Sequence, residues 1–173
     1  MEKDHPMEAV HYRATGDAST QWRRVFILGG PGSGKSTLGR RLAQALACPL
    51  FNLDAVGYEG GAGPERSRDA RLLDVATIAV KDRWVAEGSF IDWTEALAEA
   101  ADRIVVLDPP CKVARHRIVM RHVKASLRRS NQHAGLRNLW RFVRDSERYY
   151  TGRNAGRLQT DVWLGGFRDK VLV

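Results

Sequence analysis

Apolar residues along this chain come in short unbroken runs, separated by longer stretches with a helical period. The runs are Val25-Phe26-Ile27-Leu28, Leu50-Phe51-Asn52-Leu53, Trp84-Val85-Ala86 and Ile104-Val105-Val106-Leu107. Runs of this kind, without polar alternation, suit strands buried on both faces of a parallel sheet. After the first run, Leu38, Leu42 and Leu46 recur every four residues; before the third, Leu72, Leu73, Ala76 and Val80 make a second helical pattern. Thr94 to Ala101 is a short alanine-rich stretch. Strand and helix in alternation predict an α/β layered fold with right-handed crossovers. A fifth strand is expected near Val162-Trp163-Leu164. Gly165-Gly166 followed by Lys170-Val171-Leu172-Val173 reads alternatively as a terminal hairpin.

Two long helices are predicted further on. In the first, Val113, His116, Met120, Val123 and Leu127 form an apolar stripe, with Arg117, Arg121, Lys124 and Arg128 running beside it. In the second, Leu136, Leu139, Trp140 and Val143 are the expected buried face, and Arg137, Arg141, Arg144 and Arg148 make a parallel basic stripe. Each helix thus has one apolar and one cationic face. The polar stretch 129–135 between them reads as a hinge. Residues 1–21 hold no sustained period and read as a flexible leader, so residues 22–173 are expected to form a single domain.

Composition narrows the class. The chain has 173 residues, 43% hydrophobic and 28% charged, which is globular rather than disordered. No apolar run approaches the roughly 20 residues of a membrane helix, and the first residues lead into no signal-like stretch. Two cysteines, Cys48 and Cys111, make neither a disulfide framework nor a four-ligand zinc site. A reducing cytoplasm is the expected location. The formal charge of +8 is concentrated: residues 111–157 carry 13 of the 28 basic residues and two of the 20 acids. Such a block suits phosphate groups, on nucleotides or on nucleic acid.

The strongest motif is Gly29-Gly30-Pro31-Gly32-Ser33-Gly34-Lys35-Ser36, which fits G-x-x-x-x-G-K-[ST] between a predicted strand and a predicted helix. Glycines let amide N–H groups point inward at phosphate oxygens. The helix N-terminus adds partial positive charge and free donors. Gly30, Gly32, Ser33, Gly34, Lys35, Ser36 and Thr37 are therefore the candidate triphosphate-binding residues. Lys35 can bridge the β- and γ-phosphates and the Ser36 hydroxyl can ligate Mg²⁺. ATP and Mg²⁺ follow as expected ligands.

From Arg24 to about Arg157 the chain resembles the nucleoside monophosphate kinase-like P-loop kinases, which include adenylate and shikimate kinases. Within that group it resembles bacterial kinases known as DNA topology modulation proteins. The matching stretches are residues 29–39, Leu53-Asp54, Trp84 to Phe90, Ala101 to Pro110, and Arg117-Ile118-Val119-Met120-Arg121. The resemblance implies a three-layer α/β/α fold whose five-stranded parallel sheet has the order 2-3-1-4-5. It also implies a substrate module at about 55–82 and a basic helical lid at about 122–157.

Residue by residue, the resemblance implies that Asp54 contacts the phosphate acceptor and that Glu87 orders Mg²⁺. It implies that Arg117 and Arg121, one helical turn apart, grip the triphosphate, so the catalytic candidates are Lys35, Asp54, Arg117 and Arg121. Read without the resemblance, Asp54 can equally cap the next segment, Glu87 can be a surface turn acid, and Asp108 is a structural turn residue before Pro109-Pro110. Arg153 and Arg157 can return toward the phosphates.

The chain also departs from adenylate kinases, whose T-G-D-x-[LM]-[LI]-R and D-G-[FY]-P-R are replaced by Asn52 to Gly61 and Glu87-Gly88-Ser89-Phe90-Ile91. Arg66, Arg68 and Arg71 are the available substitutes for reading an acceptor phosphate. Gly57 to Gly63 reads as a flexible binding loop, with Tyr58 either stacking on a ring or packing. His116 is expected to pack. His122 and His133 show no metal-ligand spacing. Cys48 reads as core and Cys111 as a helix start.

Two functions are expected. The first is transfer of the γ-phosphoryl group of ATP to a small acceptor, with nucleotides and nucleosides among the candidates, by a monomer or small homo-oligomer away from membranes. The alternative is nucleotide-dependent binding of nucleic acid by the basic helices at 112–148.

Overall fold

The computed structural model describes residues 22–127, 136–151 and 155–173. The leader 1–21, the hinge 129–135 with His133, and Arg128 and Arg153 lie outside the described residues. So do the side chains of Leu127, Leu136, Arg137, Arg141 and Arg157.

Five parallel strands form one sheet: β1 (Arg24–Gly29), β2 (Leu50–Asn52), β3 (Trp84–Gly88), β4 (Arg103–Leu107) and β5 (Val171–Leu172). Their spatial order is β2-β3-β1-β4-β5, as the family resemblance implies. Helices α1 (Lys35–Ala45), α2 (Leu53–Gly57), α3 (Arg68–Ala79) and α4 (Glu95–Ala100) connect the first four strands, and α5 (Cys111–Leu127), α6 (Leu136–Tyr150) and α7 (Ala155–Leu164) join β4 to β5.

Alternate residues of a strand point to opposite faces, and β1 shows the three layers directly. Val25 and Ile27 pack with Ala43 and Leu46 of α1. Phe26 and Leu28 pack on the other face with Val75 and Ile78 of α3 and Leu97 of α4. These four residues of β1 are all buried, as expected for a central strand.

The lower end of β1 is pinned from β4's side. One carboxylate oxygen of Asp102 accepts from the backbone N–H of Arg23 at 2.7 Å and of Arg24 at 2.8 Å. Arg23 also pairs with Asp82 at 3.1 Å, just ahead of β3.

Several expectations about faces and ends are corrected. Val162-Trp163-Leu164 is the end of α7, not a strand, and Val171–Leu172 pairs in parallel with β4 rather than forming a hairpin. Trp163 and Leu164 pack against the core beside Phe167, while Val162 faces solvent. In α3 the buried residues are Val75, Ile78 and Ala79, while Leu73 is 69% and Val80 79% exposed.

In α5 the packed residues are Ala114 and Ile118, and the stripe of Val113, His116, Met120 and Val123 faces solvent. Both faces satisfy a 3–4 spacing. The small side chain of Ala114 lets the helix backbone approach the glycine-rich loop, so that face wins. In α6, Leu139 and Val143 are half-buried as expected, Trp140 is 73% exposed, and Ser146 is buried instead. Residues 57–63 form a hydrogen-bonded turn, not a loose loop: Glu59 N–H donates to Pro64 at 2.9 Å and Gly63 N–H to Glu59 at 2.8 Å.

Candidate active site

The glycine-rich loop leaves the carboxyl end of β1 and enters α1, at the edge where parallel α/β sheets bind ligands. Two glycines are demanded by the backbone. Gly32 has φ 77° and Gly34, the N-cap of α1, has φ 98°; an L side chain rarely adopts either. Two neighbours hold the loop. Ser89, just past β3, donates its hydroxyl to the carbonyl of Gly29 at 2.7 Å. Arg117 of α5 donates to the carbonyl of Ser33 at 2.8 Å. Inside the loop, the buried hydroxyl oxygen of Ser33 has no protein partner.

Lys35 and Ser36 open α1. Glu87, on β3 next to β1, faces the same edge and is 2% exposed, so it is no surface turn acid. Burial holds its carboxyl above the ordinary carboxylate value; the Ser36 hydroxyl and the charges of Lys35 and Arg40 pull the other way, and Asp54 adds to the rise. Burial lowers Lys35, opposed by the charges of Glu87 and Asp54 and reinforced by Arg121. Glu87, Asp54 and Arg121 thus all lie close enough to Lys35 to act on it electrostatically, the grouping that the family resemblance implies.

Asp54 lies in the first turn of α2 and is exposed. It is not the cap of that helix: Asn52 is, accepting from the Asp54 N–H at 2.8 Å. Capping therefore leaves the Asp54 carboxylate to the site. Asp108 is exposed beyond β4.

A cavity of about 820 Å³ runs along the loop from Ser36 and Thr37 past Arg117 and Arg121 to Arg40 and Asn52. Arg40, Arg41 and Asn52 were not singled out by sequence. Arg40 stands one turn beyond Ser36 on α1, so its helical spacing from the motif is the signal that finds it. Ser89 has no such signal; its role depends on strand adjacency.

The residues suit a magnesium ion. One oxygen of the Glu87 carboxylate is buried without a partner next to Ser36. Among the described residues no group of three or more His, Cys, Asp or Glu forms a protein cage for a metal. Mg²⁺ is usually held by one or two carboxylates, substrate phosphates and water, and Glu87 with the Ser36 hydroxyl could supply the protein's share.

The arginines beyond β2 are engaged differently. Arg66 pairs with Asp74 at 2.6 Å and with the carbonyl of Val56 at 2.9 Å. Arg71 pairs with Glu65 at 2.5 Å and lies 5.5 Å from the ring centre of Trp93. Arg68 reaches the carbonyl of Asp92 at 3.4 Å. Tyr58 packs near Phe90, with ring centres 6.1 Å apart. His116 is exposed, contrary to the packed position expected of it. Cys48 packs against the α1 face of the sheet and burial raises its thiol; Cys111 begins α5.

No family model matches the chain. A shikimate kinase of Rhodococcus jostii (strain RHA1) is 59% identical over 39 residues, 22% of this chain and 23% of that protein. A shikimate kinase of Actinobacillus succinogenes (strain ATCC 55618 / DSM 22257 / CCUG 43843 / 130Z) is 49% identical over 45 residues, 26% and 25% of the two chains. The chain thus spans about a quarter of the length of the curated relatives it matches.

Among solved structures, a gluconokinase from Sinorhizobium meliloti 1021 aligns over 72% of this chain and 89% of its own, at 20% identity and TM-score 0.46. Shikimate kinase from Acinetobacter baumannii in complex with shikimate aligns over 88% and 97%, at 17% identity and TM-score 0.47. Shikimate kinase from Bacteroides thetaiotaomicron aligns over 57% and 64%, at 24% identity and TM-score 0.44.

Proposed function

We propose that the protein is an ATP- and Mg²⁺-dependent phosphotransferase acting on a small hydroxyl-bearing acceptor. The observation that carries this reading is the buried Glu87 carboxylate. It stands behind Lys35 and Ser36 with one oxygen unpartnered, beside a cavity that runs from the glycine-rich loop to Asn52. A buried carboxylate with an open lone pair is costly unless a ligand completes it.

In this reading the loop amides and Lys35 hold the triphosphate, and Ser36 and Glu87 hold the magnesium ion, which would neutralise phosphate charge. The acceptor oxygen attacks the γ-phosphorus, the bond to the β–γ bridging oxygen breaks, and ADP leaves. The hydroxyl proton passes to Asp54. Arg121 and the free nitrogens of Arg117 stabilise charge on the transferring group, the usual task of arginine in this chemistry. Residues 55–82 serve as the substrate module and 122–157 as the lid. Excluding water matters because water competes as acceptor.

Arg66 and Arg71 already hold carboxylates. That argues against their reading a nucleotide phosphate, and the acceptor class we take is the small hydroxy acid named by the curated relatives. Among the described residues no helix is long and apolar enough to cross a membrane.

The test is ADP release from MgATP across a panel of hydroxy acids, sugars, nucleosides and nucleoside monophosphates, with Lys35→Ala as control. Stimulation by one small acceptor, lost in Lys35→Ala, is the expected result. No stimulation by any acceptor sinks the reading.

A second reading rests on Trp140, exposed on α6 beside the exposed Arg144 and Arg148. An aromatic ring among arginines can stack on bases. It also fits the resemblance to the DNA topology modulation kinases. DNA in separate wells tests it: stimulation by DNA alone, falling steeply with salt, would replace the first reading.

A further inference from the structure

Position 30 is a free position of the glycine-rich motif, so phosphate binding does not prescribe its residue. The backbone does not prescribe it either, since Gly30 is not among the glycines of positive φ. The reason lies across the loop. A Cβ on Gly30 would stand 2.5 Å from Cδ1 and Cε1 of Tyr149 and 3.0 Å from the Tyr150 hydroxyl oxygen. Both tyrosines are in the last turn of α6.

One turn earlier, Ser146 is fully buried and its hydroxyl donates to the carbonyl of Pro31 at 3.5 Å. The ring meets position 30 with atoms along its edge rather than with a flexible tip, so relief of a clash requires movement of the helix or the loop. From the other side, a Cβ on Gly32 would meet the carbonyl oxygen of Ala114 in α5 at 2.5 Å. Loop residues 30–33 are therefore gripped between α5 and the end of α6.

We infer that Tyr149 is a positioning residue whose ring seats the end of α6 on the phosphate loop, and that position 30 is glycine in order to receive it. The seat covers Gly30, which is buried. The inference rests on the phosphotransferase reading only for its consequence, shielding the bound phosphates from water.

The test uses the full chain. Hydrogen exchange of the amides at 146–150 is measured without nucleotide for wild type, Gly30→Ala, Tyr149→Ala, the double variant and Tyr149→Phe. Gly30→Ala and Tyr149→Ala each speed exchange about tenfold, and the double variant is no worse than the worse single one. Tyr149→Phe, which keeps the ring, stays within about twofold of wild type. Single effects that multiply to about a hundredfold in the double variant overturn the inference. A Tyr149→Phe effect as large as that of Tyr149→Ala overturns it too.

The second readout is ADP release from MgATP without acceptor. It rises in Tyr149→Ala and not in Tyr149→Phe; an unchanged rate in Tyr149→Ala overturns the shielding role. Exchange is read without nucleotide, so a failed acceptor panel removes the proposed activity and leaves the seat separately decided.

Discussion

Between Ser33 and Ser36, and behind them at Glu87, polar groups are buried with partners missing: the Ser33 hydroxyl oxygen and one Glu87 oxygen have none. Burial has moved Lys35 and Glu87 toward their neutral forms. Residues 57–79, which follow β2 and pack on the Phe26 and Leu28 face of the sheet, are built otherwise. Arg66 holds Asp74 and Arg71 holds Glu65, and the turn before them closes its own backbone hydrogen bonds. Arg71 keeps one buried nitrogen, Nε, without a partner. The first region leaves a cost in the ligand-free fold that an anion and a cation would relieve. The second is largely self-sufficient, so it shapes a site rather than waiting for charge.

The contrast breaks most sharply at Lys35. Lys35→Ala is expected to lower phosphoryl transfer by at least about 100-fold while the circular dichroism and melting temperature stay near wild type. Transfer at undiminished rate would remove the phosphate loop from the mechanism.

Glu87→Gln comes next, with opposite effects on activity and stability. Magnesium-dependent ADP release is expected to fall by roughly tenfold to 100-fold. The ligand-free variant melts higher than wild type at neutral pH. The raised Glu87 value means that its charged form disfavours the fold: the penalty is absent below the ordinary carboxyl value of 4.5 and grows as pH rises through the folded value. The stability gap between variant and wild type therefore closes in acid. Binding of magnesium with nucleotide needs the carboxylate, so it tightens as pH rises through the same range. Calorimetry against pH reads both, and a variant that melts lower than wild type at neutral pH contradicts the argument.

Arg71→Met tests the other region. Loss of the Glu65 pair and of the contact with Trp93 is expected to cost about 1 kcal/mol of stability, because Glu65 is largely exposed and screened. Nucleotide affinity, measured by titration calorimetry, should not move. A tenfold loss of that affinity would show that the two regions are not separate. The smallest effect belongs to Trp140→Ala, expected within about 0.5 kcal/mol of wild type because the ring is 73% exposed. A marked loss of DNA affinity there would give the solvent-facing side of α6 a role outside this comparison.

The four apolar runs announced their strands because each packs apolar side chains on both faces of the sheet, fully buried in β1 and β3 and mostly half-buried in β2 and β4, and the phosphate loop was legible because backbone geometry requires glycine at 32 and 34. Order of strands and the grouping of Lys35, Asp54, Glu87 and Arg121 came through the family resemblance. Helix faces were less legible. Leu73 and Val80, like Met120, match a helical period yet face outward, while Ala114 and Ile118 pack. Period identifies an amphipathic helix, but the neighbour decides which side is taken. Pairing among Arg66, Asp74, Arg71 and Glu65 depends on how the segment after the turn folds back on α3, so no linear motif marks it. The strand at Val171–Leu172 is only two residues long, and the stronger apolar run before it belongs to a helix that feeds the core.

The carboxylate of Asp102 gains a wider meaning from its position. It holds the backbone of Arg23 and Arg24 at the lower end of β1, and the phosphate loop begins at the upper end. A strand of six residues is a nearly inextensible strut of about 20 Å, so the anchor at its foot sets the height at which the loop stands against Glu87 and Leu107. The chemistry at the top of the sheet is thus aligned from its floor, by a residue that touches no phosphate.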